Sequence, residues 1–241
     1  MKILILFIVT LLSIISCRKD DFEATQIIIG NHNTMLVTNH DTTISVGYQA
    51  CVKYNLDIDE DGVNDFMIES EIWGSPGIGM HPRSKIKSLH SKAEFFGVSN
   101  VDTLFLNRDT IYYPMVDNVI NVSVSNNYTC QSLSVNDSIL NVEETTRIKT
   151  LENNDILTNT DSFILDAHLL GSDNYIIYQG DLTINDTIYH AYNNYYEDCY
   201  NFPFEQITYI GIRLNETKLG WIKIAVYENF KVNIIETAIT K

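Results

Sequence analysis

Short runs of Val, Ile, Thr, Tyr and Phe recur along this chain, each closed by Asn, Asp, Gly or Ser, and that rhythm points to β-structure throughout. Branched and aromatic side chains pack well on a pleated surface, while Asn, Asp and Gly satisfy the backbone in turns. Strands are predicted at residues 43–56, 65–73, 92–96, 102–106, 110–113, 162–170, 187–192, 207–214, 219–227 and 231–239. No segment carries a comparable apolar i, i+3, i+4, i+7 stripe, so helix is minor, at most a turn within 201–206. The expected fold is all-β: an antiparallel β-sandwich, jelly-roll-like or meander, forming a single domain over residues 26–241.

The C-terminal end gives the cleanest reading. Residues 207–214 and 219–227 form two strands joined by the four-residue loop 215–218, and 231–239 supplies a third. Along the second strand Trp221, Lys223, Ala225 and Tyr227 fall on one face, with Ile222, Ile224 and Val226 on the other. This is a β-meander that closes one sheet.

A formal charge of −15 excludes nucleic acid as a partner, because tracking a phosphate backbone needs clustered Lys and Arg. An apolar content of 45% with 11% aromatics is ample for a core. The four cysteines show no CxxC and no zinc-type Cys/His spacing. Cys130 and Cys199 sit in polar, loop-like stretches, which predicts a disulfide between them and leaves Cys51, inside a strand-like run, free and buried.

The strongest local signal is Asp57-Ile-Asp59-Glu-Asp61-Gly62-Val63-Asn-Asp65. Carboxylates stand at the first, third, fifth and ninth loop positions, with glycine where the backbone must turn sharply. Ca²⁺ takes six to eight oxygens, and such a loop wraps Asp57, Asp59, Asp61, Asp65 and the Val63 carbonyl around one ion. Like charges about 4 Å apart cost about 1 to 4 kcal/mol per pair, so a tight loop favours a cation. Ile68 stands where an EF-hand has its bidentate Glu, and both flanks read as strands. The loop therefore resembles the calcium hairpins of integrin-type and thrombospondin-type repeats, which implies a structural site completed by Asp65. An acidic hairpin with its carboxylates in solvent is the competing reading.

No catalytic motif reaches that level. There is no H-E-x-x-H, and Gly74-Ser75-Pro76-Gly77 is a turn, not a G-x-S-x-G elbow. Adjacent strand residues Glu143 and Glu144 point to opposite faces and cannot straddle one bond. Three phrases, at 108–111, 136–139 and 185–188, read as turns whose Asp caps the backbone before a strand. The aromatic stretch 189–204 is the place to expect ligand contact, through Tyr192, Tyr195, Tyr196 and Tyr200. Tyr rings beside Asn and Asp stack on sugar faces or protein partners, although such runs also fill cores.

The N-terminus carries an address. Lys2, an apolar run over residues 3–15 and Ser16 before Cys17 resemble a bacterial lipoprotein signal. The resemblance implies that residues 1–16 are a signal peptide removed before Cys17, and that Cys17 carries acyl chains. The run is short for a bilayer span, which needs about 20 residues. Arg18-Lys19-Asp20-Asp21 and Glu23 resemble the tag that sends Bacteroidetes lipoproteins to the outer face of the outer membrane, making residues 17–25 a lipidated tether. With Tyr209, Gly211, Arg213 and Gly220-Trp221-Ile222, the chain resembles β-rich surface lipoproteins of Flavobacteria and related Bacteroidetes. That implies an outer-membrane, lipid-anchored, surface-exposed location. The Asp-Ser and Asp-Thr triplets also resemble Bacteroidetes O-glycosylation sites, a second reading beside the turns. The functional expectation is a calcium-stabilised binding or adhesion module with a glycan or protein ligand. A glycan-active hydrolase or auxiliary glycan-binding protein is one alternative, and a structural subunit of a surface complex another.

Overall fold

The computed structural model describes residues 26–47, 50–75, 79–113, 120–130, 137–172, 175–185, 187–195, 202–227 and 231–241. These residues hold strands and no helix. In chain order the strands are β1 (Gln26–Ile28), β2 (Met35–Ser45), β3 (Cys51–Leu56), β4 (Phe66–Ser75), β5 (Gly79–Ser88), β6 (Ala93–Tyr112), β7 (Ile120–Thr129), β8 (Ser138–Ile148) and β9 (Thr150–Leu151). They continue with β10 (Ile156–Thr158), β11 (Phe163–Ile164), β12 (Ala167–Ser172), β13 (Tyr175–Ile184), β14 (Thr187–Tyr195), β15 (Ile207–Leu214), β16 (Lys218–Tyr227) and β17 (Lys231–Thr240). The all-β expectation holds.

A central sheet runs β6–β15–β16–β17–β2, with the C-terminal meander in its middle. One face packs on a four-stranded sheet, β12–β5–β4–β3, and the other is covered by the two-stranded pair β1–β10. Strict alternation along β16 makes this possible. Ile222, Ile224 and Val226 enter one core with Leu56, Phe66, Ile68 and Ile86, while Leu219 and Trp221 enter a second core with Ile27, Ile29 and Leu157. Phe66 and Phe95 join the two sheets of the first core, with ring centroids 4.8 Å apart. Full burial of each such side chain contributes about 1.5–3 kcal/mol.

A bulge in β17 preserves this division. Lys223 pairs with Glu236 but Ile224 pairs with Ile234, so Ile235 is an extra residue that returns Ile239 to the same core as Ile234. Close approach fixes one glycine here: a Cβ on Gly220 would lie 2.1 Å from the Ala238 carbonyl oxygen.

Beyond its first residues β6 leaves the core and becomes part of a second region, in the order β13–β14–β7–β6, with β8 also paired to β6. No described residue of β7, β13 or β14 belongs to either core. Among the described residues every strand pair is antiparallel except β14 with β7, which is parallel.

Several boundaries differ from the sequence expectation. Residues 43–56 divide between the end of β2 and β3, and 162–170 between β11 and β12. The three strands expected between 92 and 113 are one 20-residue strand, β6. Asp109, read as a turn cap, lies inside that strand, where its carboxylate accepts a hydrogen bond from Asn127 at 2.7 Å. A satisfied side chain across the ladder removes its need for a turn. Asn185, at φ 48, does mark the turn between β13 and β14, while Asp186 lies outside the described residues.

Candidate metal loop and aromatic face

The acidic loop closes the β3–β4 hairpin, whose last register pair is Leu56 with Phe66. Ile58 is 1% exposed and anchors the loop in the first core. Asp65 forms its base. Its backbone N–H donates to the Leu56 carbonyl at 2.8 Å, and its Oδ2 accepts from the Ile58 N–H at 2.8 Å. Its Oδ1 lies 3.0 Å from His90 Nε2. Burial pushes the Asp65 carboxyl above its ordinary value, opposed by the Ile58 N–H and then by His90.

The other three aspartates converge. Carboxylate oxygens of Asp57, Asp59 and Asp61 lie within 4.8 Å of one another. Asp57 accepts from the Asp61 and Gly62 N–H groups at 3.2 and 2.9 Å, and Asp61 accepts from Val63 N–H at 2.8 Å. Gly62 takes φ 90, a left-handed conformation that suits glycine, and Glu60 takes φ 59 while accepting from Thr38 Oγ1 at 2.9 Å. The Asp59 side chain is 7% exposed. Its Oδ2 meets Lys218 Nζ at 2.9 Å, from the β15–β16 hairpin, whereas its Oδ1 is enclosed without any hydrogen-bond partner.

This donor set fits a hard cation. A carboxylate oxygen that accepts one hydrogen bond retains a lone pair, and a buried oxygen with no donor is costly. Asp57, Asp59 and Asp61 stand together, with Val63 beside them in the chain. Asp65 is directed to the loop's own backbone and to His90.

The second acidic cluster is of another kind. Cys51 Sγ and carboxylate oxygens of Glu69 and Glu71 also lie within 4.8 Å of one another. Here Lys53 and Lys85 pair with Glu69 at 3.9 and 3.7 Å, and Arg83 and Lys85 pair with Glu71 at 2.6 and 3.2 Å. The charges are already compensated. Cys51 is free as expected but exposed, not buried, because it lies on the outer face of β3. Its thiol donates to Glu69 at 3.0 Å, and that bond, then burial, pushes its pKa up. Cys130 is disulfide-bonded. Cys199, Cys17, Tyr196 and Tyr200 lie outside the described residues.

Tyr192 and Tyr195 do not share a surface. Three positions apart on one strand, they point to opposite faces: Tyr195 stacks on Tyr128 at 4.8 Å, and Tyr192 rests against Tyr178 at 5.3 Å. The tripeptide Asn-Asn-Tyr occurs at 126–128 and again at 193–195, and parallel register lays one copy on the other. Asn126 Nδ2 donates to Asn193 at 3.0 Å, and Asn194 Nδ2 donates to Asn127 at 2.7 Å. That repeated tripeptide was the signal available in the sequence for this pairing. Glu143 and Glu144 do point to opposite faces. Glu144 accepts from Ser99, while Glu143 is the register partner of Asp102 on the neighbouring strand, and both line a groove of about 360 Å³ with His168. Arg147 and Thr145 take up the Asp102 carboxylate.

Neither a protein-family model, nor a curated protein, nor a solved structure matches this chain.

Proposed function

We propose that the chain is a calcium-stabilised binding or adhesion module, held at the outer face of the outer membrane by lipid on Cys17. The lipoprotein-like N-terminus supports the address, and the acidic charge favours ligands other than polyanions. Multiple acyl chains would supply the two signals that stable anchoring needs. One observation carries the calcium reading: three carboxylates within 4.8 Å, one of them presenting an enclosed oxygen with no partner. Asp57, Asp59 and Asp61 would hold the ion, which would neutralise the loop and complete Asp59. Asp59 already ties the loop to the meander through Lys218.

Thermal unfolding of the full chain in detergent, with calcium and then with chelator, tests this reading beside an Asp59→Ala/Asp61→Ala double variant. Calcium at about 100 times its Kd adds about 2.7 kcal/mol, or about 5–10 °C for a domain of this size. That rise is expected in the parent and absent in the variant. Equal melting in every condition would reduce the loop to an acidic turn.

A further inference from the structure

We propose that the face of the β13–β14–β7–β6 region bearing Tyr178 and Tyr192 is a saccharide-binding platform for a neutral oligosaccharide. This rests on the binding-module reading and names its ligand class. The two Tyr rings lie side by side on neighbouring strands, with centroids 5.3 Å apart and planes inclined by 44°. Tyr178 is 43% exposed although it stands on a sheet, where an aromatic residue ordinarily faces a core.

Beside the rings runs a fixed line of polar groups. The Tyr178 hydroxyl donates to Asp181 Oδ1, which also meets His190 Nδ1 at 2.6 Å, and His190 Nε2 lies 3.2 Å from Asn121 Oδ1. The Asp181 hydrogen bond pushes the Tyr178 phenol up to about 12, so the ring stays neutral. A second line crosses the same face from Asn194 through Asn127 to Asn107 and Asp109. These side chains hold one another in place before any ligand arrives, which lowers the ordering cost of binding.

The chemistry selects the ligand. Sugars offer flat C–H faces for aromatic rings and hydroxyls that both donate and accept, and imidazole, amide and phenol groups answer in both senses. A polyanion would meet a chain of charge −15, and a cationic ligand would find Asp181 already held by Tyr178 and His190. Among the described residues of β13, β14 and β7 the one buried apolar side chain is Val122, paired with Tyr189 on the opposite face, so it does not account for exposed Tyr178 beside half-exposed Tyr192.

Isothermal titration of the full chain in detergent with cellohexaose, xylohexaose and mannohexaose tests the platform. Saturable binding to at least one probe is expected, weakened about tenfold by Tyr178→Ala and by Tyr192→Ala. Tyr128→Ala, on the opposite face, should leave it unchanged, and Asp181→Asn gives a milder disruption should an alanine variant misfold. No saturable binding to any probe would overturn the proposal, as would parent-like affinity in folded Tyr178→Ala and Asp181→Asn. Binding that persists while melting ignores calcium removes only the metal reading, and the platform stands.

Discussion

The twice-covered meander and the β13–β14–β7–β6 region are built from the same kind of strand and held by different forces. In β15–β17 most side chains are buried, and Trp221, Ile222, Ile224, Val226 and Val232 are each 0% exposed. In the other region β7, β13 and β14 have no described residue in either core, and neighbouring strands are joined by Asn–Asn, Asn–Asp and Tyr–Tyr contacts. One region is stabilised by the removal of apolar area from water, the other by ladders of matched side chains on top of backbone pairing. A sheet can therefore persist beside a core without owning one, provided most of its polar groups are paired across the ladder.

The largest expected effect falls in the meander. Trp221→Ala should destabilise the whole chain by about 3–5 kcal/mol in denaturant unfolding. It opens a cavity and deprives buried Glu236 of the indole N–H that reaches it at 3.2 Å. Next comes Asn127→Ala, which removes bonds to Asp109 and from Asn194 and should cost about 1–3 kcal/mol. Hydrogen exchange should locate that loss in β7 and β14 while β15–β17 keep their protection. A global loss as large as that from Trp221→Ala would break the comparison.

The outer face of β4–β5 is intermediate, because its ion pairs stand on strands whose other face is core. Burial raises the Glu71 carboxyl, but Arg83 and then Lys85 outweigh it, so the net shift is downward. A lowered carboxylate contributes stability above its ordinary value of 4.5, and that contribution disappears as pH falls through the folded value. Glu71→Gln should therefore cost about 1 kcal/mol at neutral pH, and the gap should close in acid unfolding curves. A gap independent of pH would show that packing, not charge, holds this face.

The same division explains what was legible in the sequence. The meander could be read almost to the residue, because Ile222, Ile224 and Val226 alternate with Trp221 and Lys223 and both sets meet apolar layers. The acidic loop was legible because Gly62 and the Asp spacing are local. Strands β5, β7, β8 and β13 were missed: β5 was masked by Pro82 and by the alternating Arg83, Lys85 and Lys87 of its outer face, and in the other three Asn, Asp and Ser ordinarily end strands, with the repeated Asn-Asn-Tyr the one hint that Asn127 would meet Asn194. β6 was cut into three for the same reason. The separation of Tyr192 from Tyr195 followed from period-two geometry, but only once β14 was known to run unbroken through both.

Strand β6 carries a mechanical consequence. At about 3.3 Å per residue its 20 residues give about 65 Å of continuous backbone, beginning beside Phe95 in the core and ending at Tyr112 in the outlying ladders. Tension applied along that strand is borne in shear by the perpendicular hydrogen bonds to β15, β8 and β7, many at once, so a tug at the β13–β14–β7 end is transmitted into the best-packed part of the protein without unzipping it pair by pair.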